Sequence, residues 1–307
     1  MKFRIFTPFL LPLSLMRIAI YGRPSPSNSC EEAQKIFSQL DTLGIEYLVH
    51  EGYYDSLKNQ IKFPANATTF SSELKEKSVD YLVSIGGDGT LLESLPYVVK
   101  AGIPILGINT GKLGFLSLVP KGDIEPAITA LKEKKFTIQS RTLLNLQAEG
   151  SVFGKNNYAL NEVCVQRKDT STMITIHTYI NGEFLNSYWA DGLIIATPTG
   201  STAYSLSCSG PILLPEDSSF IITPIAPHNL NVRPVVIPDS CVITLKVEGR
   251  SPTYLVSLDS RSVPIDSSKE LTICKESFGV KLVELPDYSF AKTLRTKLNW
   301  GKDLRNE

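Results

Sequence analysis

The sequence has few of the residues that bind metals or form disulfide bonds. Its 307 residues include only five cysteines and three histidines, and no two cysteines form a C-x-x-C pair. The odd number and wide spacing of the cysteines argue against both a disulfide framework and a zinc site. Reduced thiols are typical of cytosolic proteins, so we expect this chain in the cytoplasm.

The chain also lacks an excess of charge of either sign. Basic and acidic residues number 31 each, which gives a formal net charge of zero. Domains that bind nucleic acid or anionic lipid usually carry a basic surface. We therefore expect neither nucleic acid nor a membrane among the partners. No run of the sequence reaches the roughly 18 apolar residues that a membrane-spanning helix needs.

The first residues resemble the start of a secretory signal, but the pattern is incomplete. Basic residues precede a short apolar stretch, which two prolines interrupt and which no small-x-small cleavage site follows. Met16 then stands just before an apolar run, residues 18–21, that is typical of a buried strand. We expect translation to start at Met16, and residues 1–15 to be an extension that is not translated or is disordered.

Strand and helix patterns alternate in the next part of the chain. Apolar runs predict strands at 18–21, 45–49, 81–85 and 104–108, with helical patterns between them. Such alternation predicts parallel βαβ units, which bind ligands at the carboxyl ends of their strands. We therefore predict a Rossmann-like α/β domain with a parallel sheet over residues 16–138.

Helical patterns are almost absent from residues 139–284. Short runs alternate apolar and polar residues, and Asn181-Gly182 separates two of them, which is a strong signal for a β-hairpin. We predict an all-β, sandwich-like domain for this region. Residues 285–307 are helical again, with apolar residues at helical spacing, so we expect this helix to pack back on the first domain.

The most informative segment is Gly86-Gly87-Asp88-Gly89-Thr90, which directly follows the third predicted strand. Glycines let the backbone approach a ligand closely, and the amides of the following helix favour an anion such as phosphate. A carboxylate here repels phosphate, so its presence indicates another role. Asp88 is therefore a candidate to orient or deprotonate a hydroxyl beside a phosphoryl group. The alternative is an ordinary turn in which aspartate is a turn residue.

Three further segments carry groups suited to a nucleotide. Residues 109–116 include two glycines and Phe115, whose ring can stack on a base or can simply belong to the core. Asn161 and Glu162 can bind an adenine edge and ribose hydroxyls, or can be an ordinary surface dipeptide. Residues 191–207 follow a buried strand and are dense in hydroxyl groups, which suits a diphosphate or a ribose.

Taken together and in order, these motifs resemble those of the NAD kinase family. The matching segments are GGDGT at 86–90, NTGKLGFL at 109–116, LNE at 160–162, DGLIIATPTGSTAYSLS at 191–207, PHNLNVRP at 227–234 and FAKTLRTKLNW at 290–300. GGDG alone also occurs in diacylglycerol-type lipid kinases and, loosely, in phosphofructokinases, whereas the second and fourth segments are more specific. The chain departs from the family pattern at Ser209, where relatives tend to have glycine.

The resemblance implies transfer of the γ-phosphate of ATP to the 2′-hydroxyl of the adenosine ribose of NAD⁺, assisted by Mg²⁺ or another divalent cation. It implies a site between two domains, in which Asp88 engages this hydroxyl and Gly89 lies against the same ligand. Asn161 and Glu162 then bind adenine and ribose, and Asp191 lies near the nicotinamide end. The residues that the resemblance places around the adenosine are Phe115, Thr202, Ala203, Tyr204, Ser205, Leu206 and Ser207. A homodimer or homotetramer, with sites completed across an interface, is implied as well.

Two other functions stay open at this point. A lipid kinase shares the GGDG motif but needs an apolar or basic surface toward the membrane, which the neutral composition does not indicate. A non-catalytic NADP(H)-binding regulator has no need for Asp88, Asn161 and Glu162 together. Polyphosphate also stays open as the donor, and NADH as the acceptor.

Overall fold

The computed structural model describes residues 16–23, 29–63, 67–168 and 172–301. The expected N-terminal extension, residues 1–15, lies outside the described residues. Within the part of the chain that is described, no helix combines the length and the apolar character needed to cross a membrane.

Strands and helices alternate in the first part of the chain, as the sequence predicts. These elements are β1 (Arg17–Gly22), α1 (Ser29–Leu43), β2 (Glu46–His50), α2 (Glu51–Leu57), β3 (Thr68–Phe70), β4 (Tyr81–Gly86), α3 (Asp88–Val98), β5 (Ile105–Asn109), β6 (Val119–Pro120) and α4 (Ile124–Lys132). Parallel pairing joins β3, β2, β1, β4 and β5 in that order. Helices α1, α2 and α4 cover one face and α3 covers the other, which is why these strands are apolar on both sides.

Strands dominate the second part of the chain. The elements are β7 (Thr137–Arg141), β8 (Leu144–Ala148), β9 (Tyr158–Ala159), β10 (Glu162–Arg167), β11 (Ile174–Ile180), β12 (Glu183–Ala190), β13 (Gly192–Ala196), α5 (Tyr204–Ser207), β14 (Ser219–Ile225), β15 (Val235–Pro238), β16 (Ile243–Glu248), β17 (Thr253–Leu258), β18 (Arg261–Asp266), β19 (Leu271–Lys275), β20 (Val280–Glu284) and α6 (Phe290–Lys297). Two six-stranded antiparallel sheets, β15-β14-β13-β10-β17-β18 and β12-β11-β16-β19-β8-β9, share one apolar core. The predicted β-rich, sandwich-like fold of this part of the chain is confirmed.

The predicted hairpin at Asn181-Gly182 is present. It joins β11 to β12, and both turn residues have positive φ, 50° at Asn181 and 84° at Gly182. This conformation gives the turn the twist of the flanking strands, and asparagine and glycine adopt it more readily than other residues.

Two strands near the ends of the expected all-β region belong to the first sheet instead. β20 pairs in parallel with β5 through Leu282 and Ile105, and it pairs antiparallel with β7. The first sheet therefore includes one strand from just before the sandwich in the sequence, β7, and one from just after it, β20. A strand of five residues carries no local mark of the sheet it will join, so the sequence pattern alone placed β20 and most of β7 in the wrong sheet.

Helix α6 packs against the first domain, as predicted from its apolar face. The hydroxyl of Tyr288, just before the helix, donates to Asp123 at 2.5 Å, and Leu294 is buried. The ring of Phe290 lies 6.2 Å from the ring of Phe115, centroid to centroid. The fold class, an α/β domain plus a β-rich domain with a returning helix, is confirmed.

Candidate active site

The Asp88 carboxylate joins the two glycine-bearing loops of the first domain. Oδ2 accepts the backbone N–H of Phe115 at 2.7 Å, and Oδ1 accepts those of Leu116 and Ser117 at 3.0 and 2.9 Å. Each carboxylate oxygen can accept about two hydrogen bonds. Among the described residues, Oδ2 therefore retains one acceptor position, which a ligand hydroxyl can fill.

Close approach between the loops requires glycine at position 114. A Cβ built on Gly114 would lie 1.9 Å from Oδ1 of Asp88, far inside any real contact. The loop is also braced from within, because the Asn109 side chain donates to the carbonyl of Lys112 at 2.8 Å and accepts from the N–H of Gly111 at 2.8 Å. The loop therefore holds the carboxylate in one orientation.

Part of the GGDG turn is uncovered by the residues that the structure describes. None of their atoms lies within 4 Å of a Cβ built on Gly87, and Gly89 is exposed. α3 starts at Asp88, so its first backbone amides adjoin this space. The N-terminus of a helix attracts anions through these unpaired amides and through the helix dipole.

Segment 160–162 is held from one side by a carboxylate that the sequence analysis did not single out. Asp259 accepts the backbone N–H of Leu160 at 2.9 Å, of Asn161 at 2.7 Å and of Glu162 at 3.1 Å. It sits in the β17–β18 turn with a φ of 52°. Burial raises the pKa of Asp259, while these three N–H groups oppose the rise. The only sequence signal was an Asp-Ser turn between two strands.

Residues 191–207 hold the same segment from the other side. Thr197 donates its N–H to the carbonyl of Asn161 at 2.9 Å and its hydroxyl to the carbonyl of Leu160 at 2.6 Å. A Cβ on Gly200 would lie 2.0 Å from the carbonyl oxygen of Asn161, so glycine is needed for this contact. The motifs at 160–162 and 191–207 therefore form one unit.

Glu162 is a buried carboxyl group with an unsatisfied oxygen. Its residue is 8% exposed, and Oε2 has no hydrogen-bond partner among the described residues. Burial, reinforced by the charge of Asp259, raises the pKa of Glu162 to about 8, although the backbone N–H of Tyr204 partly offsets this. Buried polar atoms are nearly always hydrogen-bonded, so Oε2 has the capacity for a further partner.

The residues expected around the adenosine do not all face outward. The Ser205 hydroxyl is buried against that of Thr223 at 2.9 Å, so its role is to hold the loop. The Tyr204 hydroxyl accepts from the side chain of Gln166 at 3.0 Å. Tyr204 and Ser207 are exposed. The half-buried members of this loop are Thr202, Ala203 and Leu206.

Helix α3 connects the two motif groups. Leu91 and Leu95 of this helix share a core cluster with Tyr158 and Leu160 of the β-rich domain. The helix that begins at Asp88 therefore lies in the same apolar core as the segment that leads into Asn161. The two parts of the chain that carry the motifs share this core.

Two of the expected site residues do not join this arrangement. Asp191 is distant from Glu162 and forms an ion pair, and Phe115 is in contact with Lys297. Asp191 forms an ion pair with Arg167 at 3.0 Å. Since Gly192 pairs with Gln166 and Ala196 pairs with Glu162, Asp191 is at the far end of the β10–β13 pair, roughly 17 Å from Glu162 at about 3.3 Å per residue. Phe115 is half-buried, with the Lys297 ammonium 4.9 Å from its ring centroid.

Comparison with known proteins gives the family. Residues 18–136 match the ATP-NAD kinase N-terminal domain, and residues 160–285 match the ATP-NAD kinase C-terminal domain. The NAD kinase of Flavobacterium psychrophilum is 49% identical over 294 residues, which cover 95% of this chain and 100% of that protein. The chain belongs to the NAD kinase family. The NAD kinase of Cytophaga hutchinsonii, 47% identical over 292 residues, covers the same shares.

Solved structures agree with this membership. Yeast NADH kinase complexed with NADH matches with a TM-score of 0.83 and 25% identity, over 95% of this chain and 90% of that chain. An NAD kinase from Archaeoglobus fulgidus in complex with ATP matches with a TM-score of 0.69 and 26% identity, over 92% of this chain and 98% of that chain. The predictions of the family and of an NAD⁺ kinase phosphotransferase are confirmed.

Proposed function

We propose that the chain transfers the γ-phosphate of ATP to the 2′-hydroxyl of the adenosine ribose of NAD⁺, with Asp88 as the residue that engages this hydroxyl. The observation that carries the assignment is the remaining acceptor position on Oδ2 of Asp88, beside Gly87, whose Cβ position no described residue approaches within 4 Å. A hydroxyl bound there lies next to the amides of α3, which favour phosphate.

The reaction balances with one bond formed and one broken. The 2′-oxygen attacks the γ-phosphorus, the bond from this phosphorus to the β,γ-bridging oxygen breaks, and ADP leaves. The hydroxyl proton passes to Asp88. Because phosphoryl transfer has a loose transition state, positioning and neutralisation of charge supply most of the rate, and Asp88 adds orientation and late proton acceptance.

We propose that Asn161 and Glu162 bind the adenosine of NAD⁺. Support comes from the clamp on their backbone by Asp259 and Thr197, which holds the backbone of both residues in place before a ligand arrives. The unsatisfied Oε2 of Glu162 suits a ribose hydroxyl. Gly89 and the exposed members of the 202–207 loop are expected along the same ligand.

A divalent cation is expected to enter with ATP. The described residues contain no group of three or more histidine, cysteine, aspartate or glutamate side chains able to hold a metal. Mg²⁺ keeps several waters and is commonly bound through substrate phosphates and few protein ligands. Such an ion would neutralise phosphate charge.

We propose that two or four copies associate, and that Asp191 of one copy completes the site of another. Its distance from Glu162 within one chain supports this arrangement. β12 is an edge strand that exposes three large apolar side chains, Phe184, Leu185 and Trp189, which favours contact with a second copy. Mixing inactive Asp88→Asn and Asp191→Asn variants should restore some activity. A monomer in light scattering would contradict the proposal.

The direct test uses purified protein with NAD⁺, ATP and Mg²⁺, and detects NADP⁺ through a strictly NADP-dependent dehydrogenase. Parallel reactions with NADH and with polyphosphate determine the range of acceptors and donors. Binding of NADP(H) without turnover would favour the regulator, and phosphorylation of diacylglycerol would favour the lipid kinase. We propose the cytoplasm as the compartment, in keeping with five unpaired cysteines.

A further inference from the structure

The side chain of Arg23 lies over the GGDG turn. Arg23 directly follows β1, which pairs with β4, so its backbone is at the carboxyl edge of the sheet beside Gly86. Its Nη2 and Nη1 atoms are 3.8 and 3.9 Å from the position that a Cβ on Gly89 would take. The Arg23 side chain is 52% exposed. A guanidinium group therefore borders the open space at the start of α3.

Glu93 fixes the direction of this guanidinium group. Nε of Arg23 donates to Oε2 of Glu93 at 2.5 Å, and Nη2 donates to Oε1 of the same carboxylate. Glu93 lies on α3, five residues after Asp88. Burial, together with the charge of Glu93 and a hydrogen bond to it, raises the pKa of Tyr21 to about 12, so the Tyr21 hydroxyl stays protonated beside the carboxylate.

The ion pair between Arg23 and Glu93 points to a role other than stabilising the fold. An exposed ion pair contributes little to the free energy of folding. A guanidinium group, in contrast, presents a rigid fork of N–H donors that matches phosphate oxygens. Here Glu93 holds the fork beside Gly89, and no atom of the described residues lies within 4 Å of the Cβ position of Gly87.

We propose that Arg23 binds the β- and γ-phosphate oxygens of the ATP donor and neutralises the charge that develops during transfer, with Glu93 as its positioning residue. This inference builds on the proposed NAD⁺ kinase reaction. Arg23 would contact the donor phosphates near the start of α3. Asp88, and not Arg23, would hold the 2′-hydroxyl of NAD⁺.

The test compares Arg23→Ala and Arg23→Lys with Arg250→Ala as the matched control. Arg250 is an exposed arginine between β16 and β17, at the end of β17 remote from Asp259. Thermal unfolding first verifies that each variant is folded. Calorimetry then measures the affinity for ATP and for AMP, and the coupled assay measures kcat and KM for ATP and for NAD⁺.

Loss of a charged hydrogen-bonding pair predicts about a 10- to 100-fold fall in kcat/KM for ATP in Arg23→Ala, with KM for NAD⁺ unchanged. Affinity for ATP should fall while affinity for AMP is retained, and Arg23→Lys should recover part of the loss. Glu93→Gln should lower kcat/KM for ATP less than Arg23→Ala. A purely structural role would change ATP and AMP alike.

Two results would overturn the inference. One is an Arg23→Ala protein that keeps the wild-type preference for ATP over AMP and the wild-type kcat/KM for ATP. The other is an equal loss toward ATP and NAD⁺ in both Arg23 variants. If the wild type makes no NADP⁺ at all, the proposed reaction fails by itself. The binding measurements with ATP and AMP still decide the role of Arg23.

Discussion

Replacing Gly114 with alanine should displace the Asp88 carboxylate without changing any group that contacts a ligand. The added Cβ would lie 1.9 Å from Oδ1, whereas real Cβ contacts are essentially never shorter than 3.0 Å. The loop and the carboxylate must therefore separate by about 1 Å. A movement of this size stretches the three N–H bonds that now measure 2.7–3.0 Å. A misplacement of about 1 Å can lower a rate by about 10²-fold.

We therefore expect kcat for NADP⁺ formation to fall by about 10²-fold in Gly114→Ala, measured in the coupled dehydrogenase assay. Gly111→Ala is the control in the same loop, because its nearest atom, Oδ1 of Asn109, is 3.9 Å from the Cβ position. It should keep wild-type turnover. A folded Gly114→Ala protein with kcat within about threefold of the wild type would refute the idea that this loop positions Asp88.

Four other outcomes follow from the same geometry. Asp88→Asn should lower kcat by at least about 10²-fold while NAD⁺ still binds in calorimetry, and near-normal turnover would remove Asp88 from the mechanism. Gly200→Ala should weaken NAD⁺ binding in calorimetry, because its Cβ meets the Asn161 carbonyl at 2.0 Å; unchanged affinity would argue against this coupling. The pKa of Glu162, about 8 in the folded protein against 4.5 as the reference, means that ionisation disfavours folding. The free energy of unfolding should therefore fall as pH rises from about 4.5 to 8 and then level off, and Glu162→Gln should reduce this slope in urea titrations. Ser209→Gly should stabilise the fold by about 1 kcal/mol in the same titrations, because Ser209 has a φ of 64°; a loss of stability would contradict this.

Local patterns predicted the parts of the fold that depend on nearby residues. The Asn181-Gly182 hairpin, the strand that runs into GGDG and the returning helix are all set by periodicity and by turn residues close in sequence. The place of β20 beside β5 was not predictable in this way. It depends on a contact between Leu282 and Ile105, which are far apart along the chain.

The candidate site was also predictable only in part from local sequence patterns. The motifs supplied the candidates Asp88, Asn161 and Glu162, because phosphate and ribose chemistry restricts the residue types that can serve there. They did not supply Asp259 or Arg23, whose proposed roles depend on which backbone each side chain approaches in three dimensions. A turn aspartate and an exposed arginine look ordinary until the fold brings them to residues 160–162 and to Gly89.

The clamp by Asp259 has a consequence for how the protein matures during synthesis. Asp259 and Asn161 are 98 positions apart, so a ribosome makes nearly all the family motifs before it adds the carboxylate that orders the 160–162 backbone. A nascent chain that stops short of the β17–β18 hairpin therefore contains the Asn-Glu pair without the support that aims it. The ability to bind the dinucleotide should therefore appear late in translation, once Asp259 has been added, and should not increase step by step as each motif is made.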